Sequence, residues 1–231
     1  MTRNPGFPIS LDVKGRLCLV LGGDDEAAEK VQRLLDAGAK VTVINPTLND
    51  TLRKLAAGAK VIHRPRLFRA NDADGAVLII NTLTQDAEYS QSVLDVARKE
   101  RVVLCSVDQP DASTAFLPAV VSQGPLRVAI STSGASPALA RRLRENLSAM
   151  FDERFGQFVE WLGTLREKVQ HGEPDVERRR AQLRQAVDGF ALTGSVRYPD
   201  GWEAAASAPP EPPSAAPQPA PQASPTKIRV S

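Results

Sequence analysis

Apolar residues along this chain follow two periods in turn. Five short runs, "RLCLVLG" from Arg16, "KVTVINP" from Lys40, "KVIHRP" from Lys60, "GAVLIINTLT" from Gly75 and "RVVLCSVD" from Arg101, are dense in apolar and β-branched residues. The fourth is nearly all apolar, as a strand buried on both faces should be. Between runs the spacing turns helical. Asp25 to Ala37 places Ala28, Val31, Leu34 and Leu35 at core positions, and Gly38 follows as a left-handed cap. "DTLRKLAAG" and "AEYSQSVLDVARKE" supply two more helices. This alternation predicts an α/β fold, a Rossmann-like doubly wound parallel sheet with crossover helices.

After Asp108 the pattern changes. "STAFLPAVVSQGPLRVAISTSG" reads as two short strands joined by a Gly-Pro turn, a hairpin extension. The stretch from Ser136 to Gln170 reads as helical throughout, with Ser136 at the N-cap and Pro137 at the first helical position. Pro174 interrupts, and a further helix is expected over Asp175 to Phe190. From Ala204 onward Ala, Pro, Ser and Gln dominate, with eight prolines between Pro209 and Pro225. Such a stretch buries too little apolar surface to offset its ordering entropy, so a disordered Pro/Ala-rich tail is expected. The expected organisation is a dinucleotide-binding domain over 1–112, a hairpin segment over 113–150, a helical part over 151–200 and the tail over 201–231.

Composition narrows the classes. No apolar run approaches the roughly 20 residues of a spanning helix, and the residues from Met1 to Arg16 lack a signal-like apolar segment, so a cytoplasmic protein without membrane contact is expected. A net charge of +2 does not suggest nucleic acid as partner. Cys18 and Cys105 fall inside expected strands and read as buried thiols. His63 and His171 have no partner at metal-ligand spacing, and no metal ligands are assigned.

Candidate chemistry collects at strand ends. The turn after the first strand matches a G-x-G-x-x-A dinucleotide fingerprint at Gly22 and Ala27, with Gly23 between, but has Asp24 where the second glycine should be. A carboxylate there would crowd and repel a pyrophosphate; alternatively Asp24, Asp25 and Glu26 satisfy the helix start themselves. The acid that usually binds the ribose hydroxyls falls near Asn45, with no nearby arginine to argue for a phosphorylated ribose. Asp108 closes the last parallel strand, at the edge where open α/β sheets bind ligands. Asp111 reads as a turn residue. "STSGASPALARR" sets Ser131, Thr132, Ser133, Gly134 and Ser136 beside a helix start, with Arg127, Arg141, Arg142 and Arg144 around it. That grouping reads either as an anion cradle or as a well-capped helix with solvated arginines.

Taken in order, "FPISLDVKGRLCLVLGGDDEAAEKVQRLLDAGAKVTVINP", "SVDQPDASTAFLPAVV" and "VAISTSGASPALARRLRE" resemble the precorrin-2 dehydrogenase and sirohydrochlorin ferrochelatase family, the module that also forms the N-terminal part of siroheme synthase. The resemblance spans about Phe7 to Met150. It implies NAD-dependent oxidation of precorrin-2 to sirohydrochlorin, in some members followed by insertion of Fe2+, and a homodimer built through the segment after the nucleotide domain. It implies a catalytic role for Asp108, a cofactor site at Gly22 to Ala27, Asn45 and Thr84, and a tetrapyrrole site at Ser131 to Ser136 with Arg141 and Arg142. Thr132 stands where some members carry a phosphorylatable serine. The chain departs from the family pattern at Asp24, at Thr84-Gln85, at Ser90 and at Cys105-Ser106. Those departures, mostly on the dinucleotide side, leave a chelatase-only or a non-catalytic tetrapyrrole-binding role as alternatives.

Overall fold

The structure, a computed structural model, describes residues 6–198 and 200; the expected tail lies outside the described residues. Five strands, β1 (Leu17–Leu21), β2 (Lys40–Ile44), β3 (Val61–Arg64), β4 (Ala76–Asn81) and β5 (Val103–Ser106), form one parallel sheet in the order β3-β2-β1-β4-β5. Three helices cross over it: α1 (Asp25–Asp36), α2 (Asp50–Ala57) and α3 (Ala87–Glu100). The order reverses between β1 and β4, which creates a crevice at the carboxyl ends of those strands.

The apolar runs are explained by burial on both sides. Cys18, Val20, Val41, Val43, Leu78 and Ile80 face α1 and α2, where Val31, Leu34 and Leu52 complete one core layer. Leu19, Leu21, Ile44, Ile79 and Leu104 face the opposite way, onto Val93, Leu94 and Ala97 of α3. Alternate residues of a strand point to opposite faces, so a doubly covered strand needs apolar residues at every position. Burial pushes the Cys18 thiol up to about 11 and raises that of Cys105, as suits free thiols inside a core. Gly38 ends α1 as expected: its amide bonds Leu35 and that of Ala39 reaches back to Leu34, with φ at +78°.

Beyond the sheet, β6 (Ala119–Gln123) and β7 (Leu126–Ile130) pair antiparallel as the expected hairpin. The helical stretch that follows is not continuous. It is divided into α4 (Pro137–Met150) and α5 (Glu153–Gly172), because Asp152 caps a new helix by accepting the Phe155 amide at 2.8 Å. Phe151, at the break, is buried and its ring lies 4.8 Å from that of Phe155. An N-cap and a buried aromatic outweigh unbroken helical periodicity here. Compact units divide between Pro174 and Asp175. In the second unit the expected helix over Asp175 to Phe190 is shorter: α6 (Val176–Gln185) is capped by Asp175 and stops well before Phe190.

One ion cluster braces the loop after β3. Asp72, its side chain 1% exposed, accepts a bidentate pair from Arg66 at 2.6 and 2.7 Å, a contact from Arg64, and the Arg69 amide at 2.8 Å. The Arg66 hydrogen bonds lead in holding its carboxyl down to about 2 from 3.8. A depressed carboxylate stabilises the fold above its ordinary pKa and ceases to as pH falls through the folded value. Asp72→Asn should therefore cost about 2 kcal/mol at neutral pH, a deficit that shrinks below pH 4 and closes near pH 2, as urea melts of the two chains across that range will measure.

Candidate functional site

The crevice begins at the turn between β1 and α1. Gly22 takes φ +140°, and a Cβ on it would lie 2.0 Å from Thr82 Oγ1. Only glycine permits that approach, through which Thr82 donates both its amide (2.9 Å) and its hydroxyl (3.1 Å) to the Leu21 carbonyl. Gly23 is just as confined, since a Cβ there would meet the Thr47 carbonyl at 2.0 Å. Both glycines are thus required by packing against β4 and the β2–α2 loop, a demand that exists whether or not a ligand is bound.

Asp24 is the N-cap of α1. Its carboxylate turns back to accept the Ala27 amide at 2.9 Å. The neighbouring acids are also engaged: Asp25 accepts from Asn49 Nδ2 at 2.7 Å, and Glu26 pairs with Lys30 at 3.6 Å. Lys30 keeps only 13% of its side chain exposed. The amides of Asp25 and Glu26 meet no acceptor among the described residues, which is the donor set an anionic phosphate takes at a helix start. Asn45 lies beside this turn, its Nδ2 donating to the Thr47 carbonyl at 2.6 Å. His63 Nε2 meets the Asn45 carbonyl at 2.9 Å, and His171 Nδ1 meets that of Glu167 at 2.7 Å, so each histidine has a backbone partner.

The far side of the crevice is built by β4 and β5. Asp108 follows β5 in the left-handed conformation (φ 55°), which Asp adopts more readily than most residues, and its carboxylate is exposed with no partner among the described residues. Next to it, Gln109 donates Nε2 to the Thr84 carbonyl at 2.8 Å, so the loops after β4 and β5 share one rim. Beneath lies a buried polar set that sequence reasoning did not single out as a network. Asn81 donates to Ser90 at 3.1 Å and to Ser106 at 3.5 Å, and Ser113 bridges the Ser106 amide and carbonyl. Ser90 and Ser106 are departures from the family pattern, and the structure brings them together through Asn81. The signal available was two polar residues, Asn81 and Ser106, ending otherwise apolar strands. Asp111 sits in a 3₁₀ turn spanning Pro110–Ala112.

The serine-rich loop stands on a different sheet, at the end of β7. Thr132 Oγ1 accepts the Ser136 amide and donates to its carbonyl, both at 3.1 Å, and Ser131 Oγ accepts the Ser133 amide at 3.1 Å. Ser133 and Gly134 take positive φ, and Ser136 caps α4 through the Leu139 amide. Arg141 and Arg142 both pair with Glu145 on the exposed surface of α4. Arg127 is not brought to this loop; it folds onto the Gly124 and Leu126 carbonyls at the hairpin turn. Among the described residues no group of three His, Cys, Asp or Glu side chains is placed to hold a metal, and no helix is long and apolar enough to cross a membrane.

Comparison with known proteins agrees with this layout. A family model for putative NAD(P)-binding domains matches residues 9–119, and one for the central part of sirohaem biosynthesis proteins matches 123–150. The siroheme synthase of Methylococcus capsulatus is 36% identical over 185 residues, covering 80% of this chain and 39% of that protein. That of Methylobacillus flagellatus is 36% identical over 174 residues, 75% of this chain and 37% of its own. The chain thus spans about two-fifths of the length of these relatives. The solved structure of SirC, a precorrin-2 dehydrogenase, superposes with a TM-score of 0.65 at 26% identity, over 80% of this chain and 90% of SirC. On this sequence and structural evidence the chain belongs to the precorrin-2 dehydrogenase and sirohydrochlorin ferrochelatase family, the module found in siroheme synthase.

Proposed function

We propose that this chain oxidises precorrin-2 to sirohydrochlorin with NAD as the hydride acceptor, and that the same rim admits Fe2+ as a second substrate. The observation that carries the reading is the state of the turn after β1: Asp24, Asp25 and Glu26 each have a protein partner, while two helix-start amides stay open. The substitution at Asp24 therefore does not by itself remove the phosphate site. Gly22 and Gly23 shape the turn, the amides of Asp25 and Glu26 receive the pyrophosphate, Asn45 offers Oδ1 to a ribose hydroxyl, and Thr84 borders the nicotinamide end.

Bound there, the dinucleotide supplies the oxidising chemistry by accepting a hydride. What the protein adds is proton handling and charge compensation. Dehydrogenation removes a hydride and a proton from the macrocycle, and the exposed carboxylate of Asp108 is the base on the rim to take that proton. When iron enters, the same group accepts pyrrole protons as they leave. Precorrin-2 carries eight carboxylates, so Arg141 and Arg142, with the hydroxyls and amides of Ser131, Thr132, Ser133, Gly134 and Ser136, offset its charge through charge-assisted hydrogen bonds. For the arginines this means exchanging Glu145 for substrate.

A homodimer completes the reading. α4 buries none of its residues, yet Leu139 (51% exposed), Leu143 (38%) and Met150 (42%) are large apolar groups along it. A helix whose apolar residues find no cover within its own chain calls for a second copy.

Three outcomes are expected. Calorimetric titration of the purified chain shows saturable NAD+ binding, and Asp24→Gly binds about as tightly or tighter, because the lost cap is worth only a few tenths of a kcal/mol when glycine replaces it; loss of binding in both chains sinks the reading. Asp108→Ala retains NAD+ binding but loses roughly a hundredfold or more in precorrin-2 oxidation, and in cobalt or iron insertion into sirohydrochlorin without NAD+. Leu143→Glu sediments as a monomer in analytical ultracentrifugation while its NAD+ affinity is unchanged.

A further inference from the structure

β5 ends the sheet, with β4 on one side and no further strand on the other among the described residues. Two of its amides, those of Leu104 and Ser106, are answered instead by hydroxyls from the chain that doubles back after Asp108. Thr114 Oγ1 accepts the Leu104 amide at 2.8 Å, and Ser113 Oγ accepts that of Ser106 at 2.9 Å. The Thr114 and Ala115 amides both donate to the Leu104 carbonyl, at 2.8 and 2.9 Å. Two neighbouring side chains thus take the place of a sixth strand and satisfy an edge that would otherwise carry unpaired backbone groups.

The two hydroxyls differ in what else they hold. Thr114 stays within the strand, because its second contact is the carbonyl of the same Leu104, at 3.3 Å. Ser113 spans the turn that carries Asp108. Besides the Ser106 amide, its Oγ lies 2.8 Å from the Gln109 carbonyl and 3.1 Å from that of Ser106, and its single proton favours the shorter contact. The Gln109 amide donates to the Ser106 carbonyl at 3.2 Å, which closes the turn with Asp108 inside it at φ 55°. One oxygen therefore grips residues on both sides of Asp108, while the Gln109 side chain ties the turn outward to the Thr84 carbonyl.

The Asp108 carboxylate itself is exposed and has no partner among the described residues. A catalytic base commonly takes its direction from a third group bonded to it. Here the backbone has to supply that direction, in a left-handed conformation that a residue other than glycine keeps only where its surroundings hold it. Resting on the assignment of Asp108 as the base, we infer that Ser113 is a positioning residue for the reaction: its hydroxyl locks the turn from Ser106 to Gln109 and so aims the Asp108 carboxylate at the macrocycle. Thr114, with the same chemistry one residue further on, serves the strand alone.

The test compares Ser113→Ala with Thr114→Val, each of which removes one hydroxyl from the same edge of β5. Melting curves, calorimetric NAD+ affinity and steady-state precorrin-2 oxidation are measured on the full chain. Thr114→Val keeps kcat within about twofold of the parent chain, whereas Ser113→Ala loses about fivefold or more in kcat with NAD+ affinity and the KM for precorrin-2 within about threefold. Beside Asp108→Ala, the Ser113→Ala change costs no more than about twofold further, because a turn without its carboxylate has nothing to aim. Gln109→Ala, which cuts the outward tie to Thr84, shows the same kcat loss and the same silence beside Asp108→Ala, and it carries the test under the same limits if Ser113→Ala does not fold. A kcat loss under about fivefold, a loss matched by Thr114→Val, or a further loss of more than about twofold beside Asp108→Ala overturns this inference alone. If the parent chain does not oxidise precorrin-2, or Asp108→Ala keeps its full rate, the inference falls together with the reading it rests on.

Discussion

The Leu21 carbonyl, shared between the amide and hydroxyl of Thr82, is the contact on which the crevice edge of the sheet depends. It joins the ends of β1 and β4 at the point where strand order reverses, and it forms only because Gly22 has no side chain to collide with Thr82. The Gly22 amide meanwhile bonds the Ile44 carbonyl at 3.3 Å, which ties the same turn to β2. Held from both sides, the chain has one way to enter α1, and the first amides of that helix consequently look out over the crevice. Any side chain at Gly22 would push β4 away and move the rim that carries Thr84, Gln109 and Asp108.

Charge at that rim is managed by local pairing more than by composition. Three acids in a row at a phosphate site would be self-defeating if all faced the ligand. Instead one caps the helix, one is held by Asn49 and one by the largely buried Lys30. After β3 the pairing is lopsided the other way, with two arginines on one buried aspartate. Among the described residues the crevice thereby presents helix-start amides on one side and the exposed carboxylate of Asp108 on the other.

The segment after the sheet is less legible in its sequence, for definable reasons. Its hairpin was plain from two β-branched runs about a Gly-Pro turn. The long helical stretch looked continuous because periodicity runs on through Phe151, and the break became visible only where Asp152 capped a new turn and Phe151 was drawn into the core. Arg127 looked like a neighbour of the serine-rich loop because a strand separates them by few residues. An extended strand carries them apart, and the guanidinium found carbonyls at its own end. Arginines on α4 are likewise held by Glu145, an i,i+4 relation that the sequence displays but does not rank against a substrate.

Local pattern alone determined the strands and most of the helices here, the sites of Asp108 and the glycine turn, and the caps at Gly38 and Ser136, because period, β-branching and capping chemistry act over a few neighbouring residues. The tertiary structure decided the direction of each charge. That Asp24 faces its own helix, that Arg64 turns its guanidinium to Asp72, and that Asn81 links Ser90 to Ser106 all depend on which elements lie side by side and in what register. Pairing between distant strands is set by burial of the whole sheet, and no window of sequence contains it.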